Sequence, residues 1–202
     1  MKASASSTTL LIFAKHPRAG EVKTRLGNAL GHDAAVAVYR KLIQYTVSQV
    51  KPLDCAKELW YGNEIPSTDS WDALEPRRKL QPKGDLGFKM SYAFQEAFQN
   101  GAPKVLIIGS DCPDLSTPVL EEAINALNFS DMVLGPAVDG GYYLLGMNAY
   151  YPLFDDIAWS TDSVARTTLE KAREHDLSHY LLPTLSDLDT PEDLAKFPEY
   201  DT

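Results

Sequence analysis

The sequence predicts one α/β domain built on a Rossmann-like, mostly parallel sheet with helices on both faces. Three observations carry this. Short apolar runs of strand length alternate with longer stretches of helical period. The central run from Lys104 to Gly109, KVLIIG, is apolar throughout, as a strand covered on both sides must be. The length of 202 residues suits one sizeable core and is short for two complete domains, so residues 1–202 are read as a single domain.

Each element follows from local pattern. Residues 1–9, MKASASSTT, are small and polar and are expected to be a flexible lead. Leu10 to Ala14 is a first strand, ended by a polar, Pro- and Gly-containing segment. Asp33 to Val50 has Ala37, Leu42, Ile43 and Val47 at near-helical spacing, and Pro52 stops it. Leu59 to Tyr61 and Lys79 to Gln81 are brief extended candidates around a polar stretch, Asn63 to Pro76, expected to be a surface excursion. Gly87 to Asn100 places Met90, Phe94, Ala97 and Phe98 on one helical face, and Gly101 suits its C-terminal cap. Thr117 and Pro118 read as the N-cap and first residue of a helix reaching Leu127. MVLGPA and YYLLGM, separated by a glycine-bearing connection, predict an antiparallel insertion. Thr161 to Glu174 is helical, HYLLP a late strand, and Thr190-Pro191-Glu192-Asp193 opens a terminal helix.

Composition narrows the function. Hydrophobic residues make up 44% and charged residues 23%, as in folded soluble chains. Acidic residues outnumber basic ones 28 to 19, so long-range attraction to nucleic acid or to an anionic membrane is not expected, and any phosphate site must be local. The apolar run LLIFA is too short for a signal-peptide core or a membrane span. Two cysteines, Cys55 and Cys112, make neither a disulfide framework nor a zinc site, and a cytoplasmic location is the expectation.

In open α/β sheets ligands sit beyond the carboxyl ends of the strands, and four segments there carry unusual residues. After the first strand, residues 15–25 hold four basic side chains, Lys15, Arg18, Lys23 and Arg25. Such cations suit a phosphate chain, Gly20 would let backbone N–H groups approach its oxygens, and a helix opening near Thr24 would add its positive end. The spacing is neither a Walker A loop nor GxGxxG. After the apolar central strand comes Gly109-Ser110-Asp111-Cys112-Pro113-Asp114. Here Asp111, with Asp114 as the lesser candidate, could bridge a hard cation to a nucleotide. Cys112 has no histidine near it in sequence and is read as a packed small residue rather than a nucleophile.

The third segment runs Gly135 to Tyr143. Asp139 is a candidate to orient an acceptor or sugar hydroxyl, Gly140 and Gly141 would let a ligand meet backbone, and Tyr142 could stack on it or bond to it; a plain hairpin turn explains the same residues equally well. In the fourth, Asp187 and Asp189 point the same way if the stretch is extended, just ahead of the terminal helix, and one of them could complete a metal site with Asp111. Ala14 and Ser110, small residues at the ends of the first and central strands, are expected beside the nucleotide.

Taken in order, FAKHPRAGEVKTRL, GDLGFKM, IGSDCPDL, GPAVDGGYYLLG, WST and DLDTPEDL resemble a bacterial glycosyltransferase-A-like (DUF2064-type) family. That family is related to the guanylyltransferase of coenzyme F420 synthesis and to the molybdenum-cofactor nucleotidyltransferases. The resemblance runs from about Leu10 to Phe197. It implies a nucleotide-diphospho-sugar transferase (GT-A) fold that takes a nucleoside triphosphate or nucleotide sugar with Mg²⁺ or Mn²⁺ and a small acceptor. It further implies Asp111 and Asp189 as metal ligands, Lys15, Lys23 and Arg25 as the basic signature, and Gly84, Asp85 and Leu86 near the base. The chain departs from sugar-nucleotide pyrophosphorylases in lacking their GxGxR loop, and from many glycosyltransferases in having SDCPD rather than a strict DxD. The expected reaction is nucleotidyl transfer to a small anionic acceptor, with Asp139 orienting the acceptor. Glycosyl transfer and a non-catalytic nucleotide-binding module are the alternatives.

Overall fold

A computed structural model describes residues 8–201. Seven strands form one sheet: β1 (Thr9–Ala14), β2 (Ala56–Tyr61), β3 (Arg77–Leu80), β4 (Val105–Ile108), β5 (Met132–Pro136), β6 (Tyr142–Met147) and β7 (His179–Leu181), in the order β3-β2-β1-β4-β6-β5-β7. Only β6 runs against its neighbours β4 and β5; the other described pairings are parallel. The expected antiparallel insertion is this β5–β6 pair. Residues 1–7 of the expected flexible lead lie outside the described residues. Thr8 is buried, its carbonyl accepting from Ala56 N, and Thr9 already belongs to β1.

The alternation of β1 explains the layering. Leu10, Ile12 and Ala14 face one side, where α1 (Thr24–Leu30), α2 (His32–Val50) and α4 (Thr117–Ala126) contribute Leu26, Leu42, Ile43 and Leu120 to one core. Leu11 faces the other, where α3 (Leu86–Gln99) brings Met90, Phe94 and Ala97 against Trp60 and Ile107, and α5 (Val164–Glu174) adds Ala172. All four residues of β4 are buried, so this strand is covered on both faces, as its composition requires. Each fully buried Leu or Ile stabilises the fold by roughly 1.5–3 kcal/mol.

Two expectations need correction. The stretch 63–76 is not all surface: it contains a 3₁₀ turn, Ser70–Leu74, capped by Asp69, whose Trp71 and Leu74 are buried beneath α2. Ser116, not Thr117, occupies the N-cap of α4. Thr117 instead ties the helix to α2, its N–H donating to Gln49 Oε1 at 3.0 Å and its hydroxyl to Gln49 O at 2.8 Å. The terminal helix is one turn, α6 (Pro191–Leu194), held by a Thr190–Asp193 capping box. Among the described residues no helix is long and apolar enough to cross a membrane.

The sheet order also locates the crevice. From β1 the chain goes to β2 on one side, whereas β4 pairs on the other, so the loops after β1 and β4 diverge and leave a gap at their carboxyl ends.

Candidate functional site

That gap is a cleft of about 590 Å³. Its two main loops are tied through α2. Lys15 N–H donates to the Tyr39 hydroxyl at 3.0 Å, and that hydroxyl lies 2.8 Å from Ser110 Oγ, so the end of β1 and the end of β4 share one buried anchor. Burial, then the nearby Asp111 carboxylate, push the Tyr39 hydroxyl up to about 12, which keeps it protonated in this role. Ala14 and Ser110 line the cleft as expected.

The loop after β1 sorts its four cations into different tasks. Lys15 reaches across the loop, its Nζ donating to Glu21 O at 3.1 Å, and lines the cleft. Arg18 does not join it: its guanidinium pairs with Glu64 at 2.5 Å. Gly20 has φ +81° in a turn closed by Glu21 N–H to Arg18 O, a conformation that favours glycine, and it does not line the cleft. Arg25, in the first turn of α1, is exposed at the cleft.

Lys23 is the centre of the arrangement. Its backbone is left-handed, φ 45° and ψ 47°, immediately before α1, an unfavourable conformation for a residue with a Cβ. Its side chain is only 3% exposed, with Nζ 2.8 Å from Asp111 Oδ1 and 2.9 Å from Asp189 Oδ1. Burial alone would depress its pKa; the two carboxylates outweigh burial and hold it above the ordinary lysine range. The ammonium therefore stays charged between two acids that remain 47% and 50% exposed, their free oxygens open to the cleft.

The acidic wall is built by two segments that brace each other. Leu188 N–H donates to Asp111 O at 2.9 Å, and Asp189 N–H is held by Asp193 Oδ2 at 3.2 Å within the α6 cap. Asp187 lines the cleft beside Asp189, as the alternation anticipates. Burial, then the charges of Asp111 and Asp139, raise its carboxyl to about 7 against the opposing pull of Lys23, so this wall carries more negative charge than one ammonium balances. Asp114 lies outside the cleft lining. Cys112 is buried, and burial followed by Asp187 raises its thiol to about 12, which removes it as a nucleophile at neutral pH.

Among the described residues no three His, Cys, Asp or Glu side chains form a ready-made metal cluster. The donor set that does exist is a carboxylate pair, Asp111 and Asp189, around a position filled by an ammonium. Such a pair suits a hard cation that takes its remaining ligands from phosphate and water.

The other predicted residues divide. Leu86 lines the cleft. Asp85 is the N-cap of α3, its side chain accepting from Phe88 N at 2.8 Å, and Gly84, at φ +144°, lies under the Phe88 ring; neither lines the cleft. Asp139 stands exposed on the rim, close enough to raise Asp187, with Oδ1 accepting from Gly141 N at 2.9 Å. Gly140, at φ +89°, is packed so tightly on the start of the α5 segment that a Cβ would fall 2.1 Å from Asp162 O. These two glycines serve a docking contact and a turn, and neither lines the cleft. Tyr142 gives the cleft its ring only, because its hydroxyl points inward to Met90 Sδ at 3.8 Å. Sequence reasoning passed over Lys89 and Gln81, which also line the cleft; Lys89 stood inside the motif GDLGFKM, where a cation in the opening turns of a helix was the available signal.

Comparison with known proteins places the chain in a family and a fold. Residues 46–161 match the family described as "Uncharacterized protein conserved in bacteria (DUF2064)". A solved structure from Desulfovibrio desulfuricans G20, provisionally named a nucleotide-diphospho-sugar transferase, is 35% identical, covers 95% of this chain and 86% of its own, and superposes with a TM-score of 0.88. A 2-phospho-L-lactate guanylyltransferase from Methanocaldococcus vulcanius is 30% identical over 121 residues, 58% of this chain; the match spans about half, 52%, of that curated relative. The 4-diphosphocytidyl-2C-methyl-D-erythritol synthase of Anaerococcus prevotii, at 16% identity, shares the fold over 96% of this chain and 97% of its own with a TM-score of 0.59. The family match, over more than half of the sequence, and the close structural relative make this chain a member of the bacterial DUF2064 family, built on the nucleotide-diphospho-sugar transferase fold.

Proposed function

We propose that this protein is a transferase that binds a nucleoside triphosphate with Mg²⁺ or Mn²⁺ and passes its nucleotidyl group to a small anionic acceptor. One observation carries the reading. The Asp111–Lys23–Asp189 bridge stands in the same cleft as Lys15, Arg25 and Lys89, so carboxylates for a cation and cations for a phosphate chain face one space. The name of the guanylyltransferase relative supports the same chemistry. Asp111 and Asp189 would hold the metal, which when bound would supply charge neutralisation at the phosphates.

An acceptor oxygen attacks the α-phosphorus, a new P–O bond forms, and the bond to the β-phosphate oxygen breaks, its electron pair leaving with pyrophosphate. Such a reaction needs positioning and charge stabilisation more than a protein nucleophile, in keeping with the protonated Cys112 thiol. Lys15, Arg25 and Lys89 bind the phosphate oxygens and the negative charge that develops on them. Lys23 holds the two carboxylates in place, and the Tyr39 anchor keeps both loops at a fixed separation. The free thiols of Cys55 and Cys112 suit a reducing compartment, and the reading places the protein in the cytoplasm.

Glycosyl transfer from a nucleotide sugar is the second reading, favoured by the provisional name of the 35% identical structural relative. Incubation with α-labelled nucleoside triphosphates, with nucleotide sugars and with Mg²⁺ or Mn²⁺, over a panel of phosphorylated and carboxylated acceptors, separates the two. Labelled adduct with pyrophosphate release is expected. Nucleoside diphosphate release from a nucleotide sugar, with no pyrophosphate from any triphosphate, would replace the first reading with the second.

A further inference from the structure

A second cavity, of about 380 Å³, shares no lining residue with the cleft. Its walls come from three places: His16 and Pro17 after β1, Arg40 and Ile43 near one another along α2, and the segment 68–71 that enters the 3₁₀ turn. The polar groups on these walls are unevenly satisfied. Asp69 is fully engaged, its Oδ2 accepting from the Tyr61 hydroxyl at 2.5 Å and its Oδ1 from Trp71 N at 3.0 Å and from Arg78 Nη2 at 3.2 Å, so its charge is already answered by Arg78. Arg40 is the opposite case. Among the described residues its exposed guanidinium meets no carboxylate and no hydrogen-bond acceptor. The Trp71 side chain is buried, yet its indole N–H has no acceptor, and His16 Nδ1, also buried, has no partner. Buried polar groups in native proteins are satisfied almost without exception, so two orphans around one cavity point to something that enters it.

We infer that this cavity binds a small organic anion, its carboxylate or phosphate group against Arg40 and the Trp71 indole N–H, its carbon body against Ile43 and Pro17. An unpaired guanidinium presents a planar fork of donors that matches an oxyanion, and an indole nitrogen can only donate, so both call for the same kind of ligand. A cation would meet Arg40 and find both Asp69 oxygens taken. The volume is that of a small-molecule site. Both orphaned nitrogens are closed to water, so the ligand reaches the indole as the His16 ring turns aside. Nothing holds that ring firmly: its Nε2 stands 3.9 Å from Glu64, which Arg18 claims at 2.5 Å. The His16 backbone meanwhile stays pinned to the Asn63 amide, its N–H donating at 2.8 Å and its carbonyl accepting at 3.1 Å.

Proton–nitrogen NMR of the whole chain tests this, because three tryptophans give three indole signals. The Trp71 signal is assigned by its loss in Trp71→Phe, or by elimination with Trp60→Phe and Trp159→Phe if Trp71→Phe fails to fold. The probes are phenyl phosphate, benzoate and inorganic phosphate. Phenyl phosphate or benzoate is expected to move the Trp71 signal saturably, and the tighter of the two identifies the head group. Inorganic phosphate, which has no carbon body, should bind about tenfold more weakly or worse. Arg40→Gln, at an exposed position of α2, should weaken binding at least about tenfold, whereas Lys15→Ala, in the cleft, should alter it by less than about twofold. No saturable movement of the Trp71 signal with any probe would show a cavity that takes water alone. An affinity unaltered in Arg40→Gln, or lost in Lys15→Ala, would place the anion elsewhere, and any of these results overturns the assignment. None of them depends on the transferase reading.

Discussion

The loops that follow β4 and β5 each carry an aspartate beside small residues, Asp111 and Asp139, yet they do different work. After β4, Asp111 turns a half-exposed carboxylate into the cleft and is braced by Lys23 and by the backbone of Leu188. After β5, Asp139 folds back onto Gly141 N, and Gly140 packs closely against Asp162. Position in the sheet decides between them. β4 lies against β1 where the strand order diverges, whereas β5 sits beyond the antiparallel β6 and its loop has only to turn the chain around. An Asp beside small residues is therefore a site where two parallel strands open a gap, and a turn where a hairpin closes.

The comparison is broken most decisively at Asp111. Asp111→Asn should lower the proposed metal-dependent nucleotidyl transfer at least about 100-fold, since it removes a charge from the cluster to which that transfer is assigned; activity within a few fold of wild type would take Asp111 out of the site. Next in size is Gly140→Ala, which puts a Cβ into the Asp162 backbone at a positive φ and should cost about 2–4 kcal/mol in urea unfolding, while Gly141→Ala costs less than about 1 kcal/mol. An unaltered midpoint for Gly140→Ala would show that the docking contact yields easily.

A smaller effect sharpens the electrostatic side. The folded-state carboxyl of Asp187 titrates near 7, above its ordinary value of 3.8, so the folded protein binds the extra proton between those values. The stability this contributes is fully present below about pH 4 and is lost as pH rises through 7. In melts without divalent ions Asp187→Asn should match the wild type near pH 4 and exceed it increasingly as pH rises through 7; parallel curves across that range would show that Asp187 carries no such burden. Smallest of all, Asp139→Asn should change turnover by no more than about threefold, because an exposed turn carboxylate acts on the site only through solvent.

Much of the fold was legible because it depends on local pattern. The alternation in β1, the unbroken apolar run of β4 and the helical face of α3 each state their own burial, and the β5–β6 pair announced itself by adjacency. That Asp111, Asp189, Lys15, Lys23 and Arg25 would share one cleft was legible for a related reason: the crevice of an open α/β sheet lies beyond the ends of its strands. What local pattern cannot show is partnership at a distance. Arg18 belongs with the other cations of its loop until Glu64, far along the chain, claims it. Trp71 lies in a polar stretch, and only its packing beneath α2 makes it core. Lys89 and Gln81 look like surface residues of a helix and an edge strand until the sheet order brings both to the cleft.

Lys23 has a practical consequence for handling the protein. Because its ammonium already sits between Asp111 and Asp189 and offsets part of their charge, stripping divalent ions with a chelator should leave the fold and the cleft unchanged. An incoming ion would find the seat taken and would have to evict an occupant of the same sign. Free ions should then compete poorly, and one that arrives already joined to a polyphosphate, which offers the displaced ammonium new oxygens, should compete well.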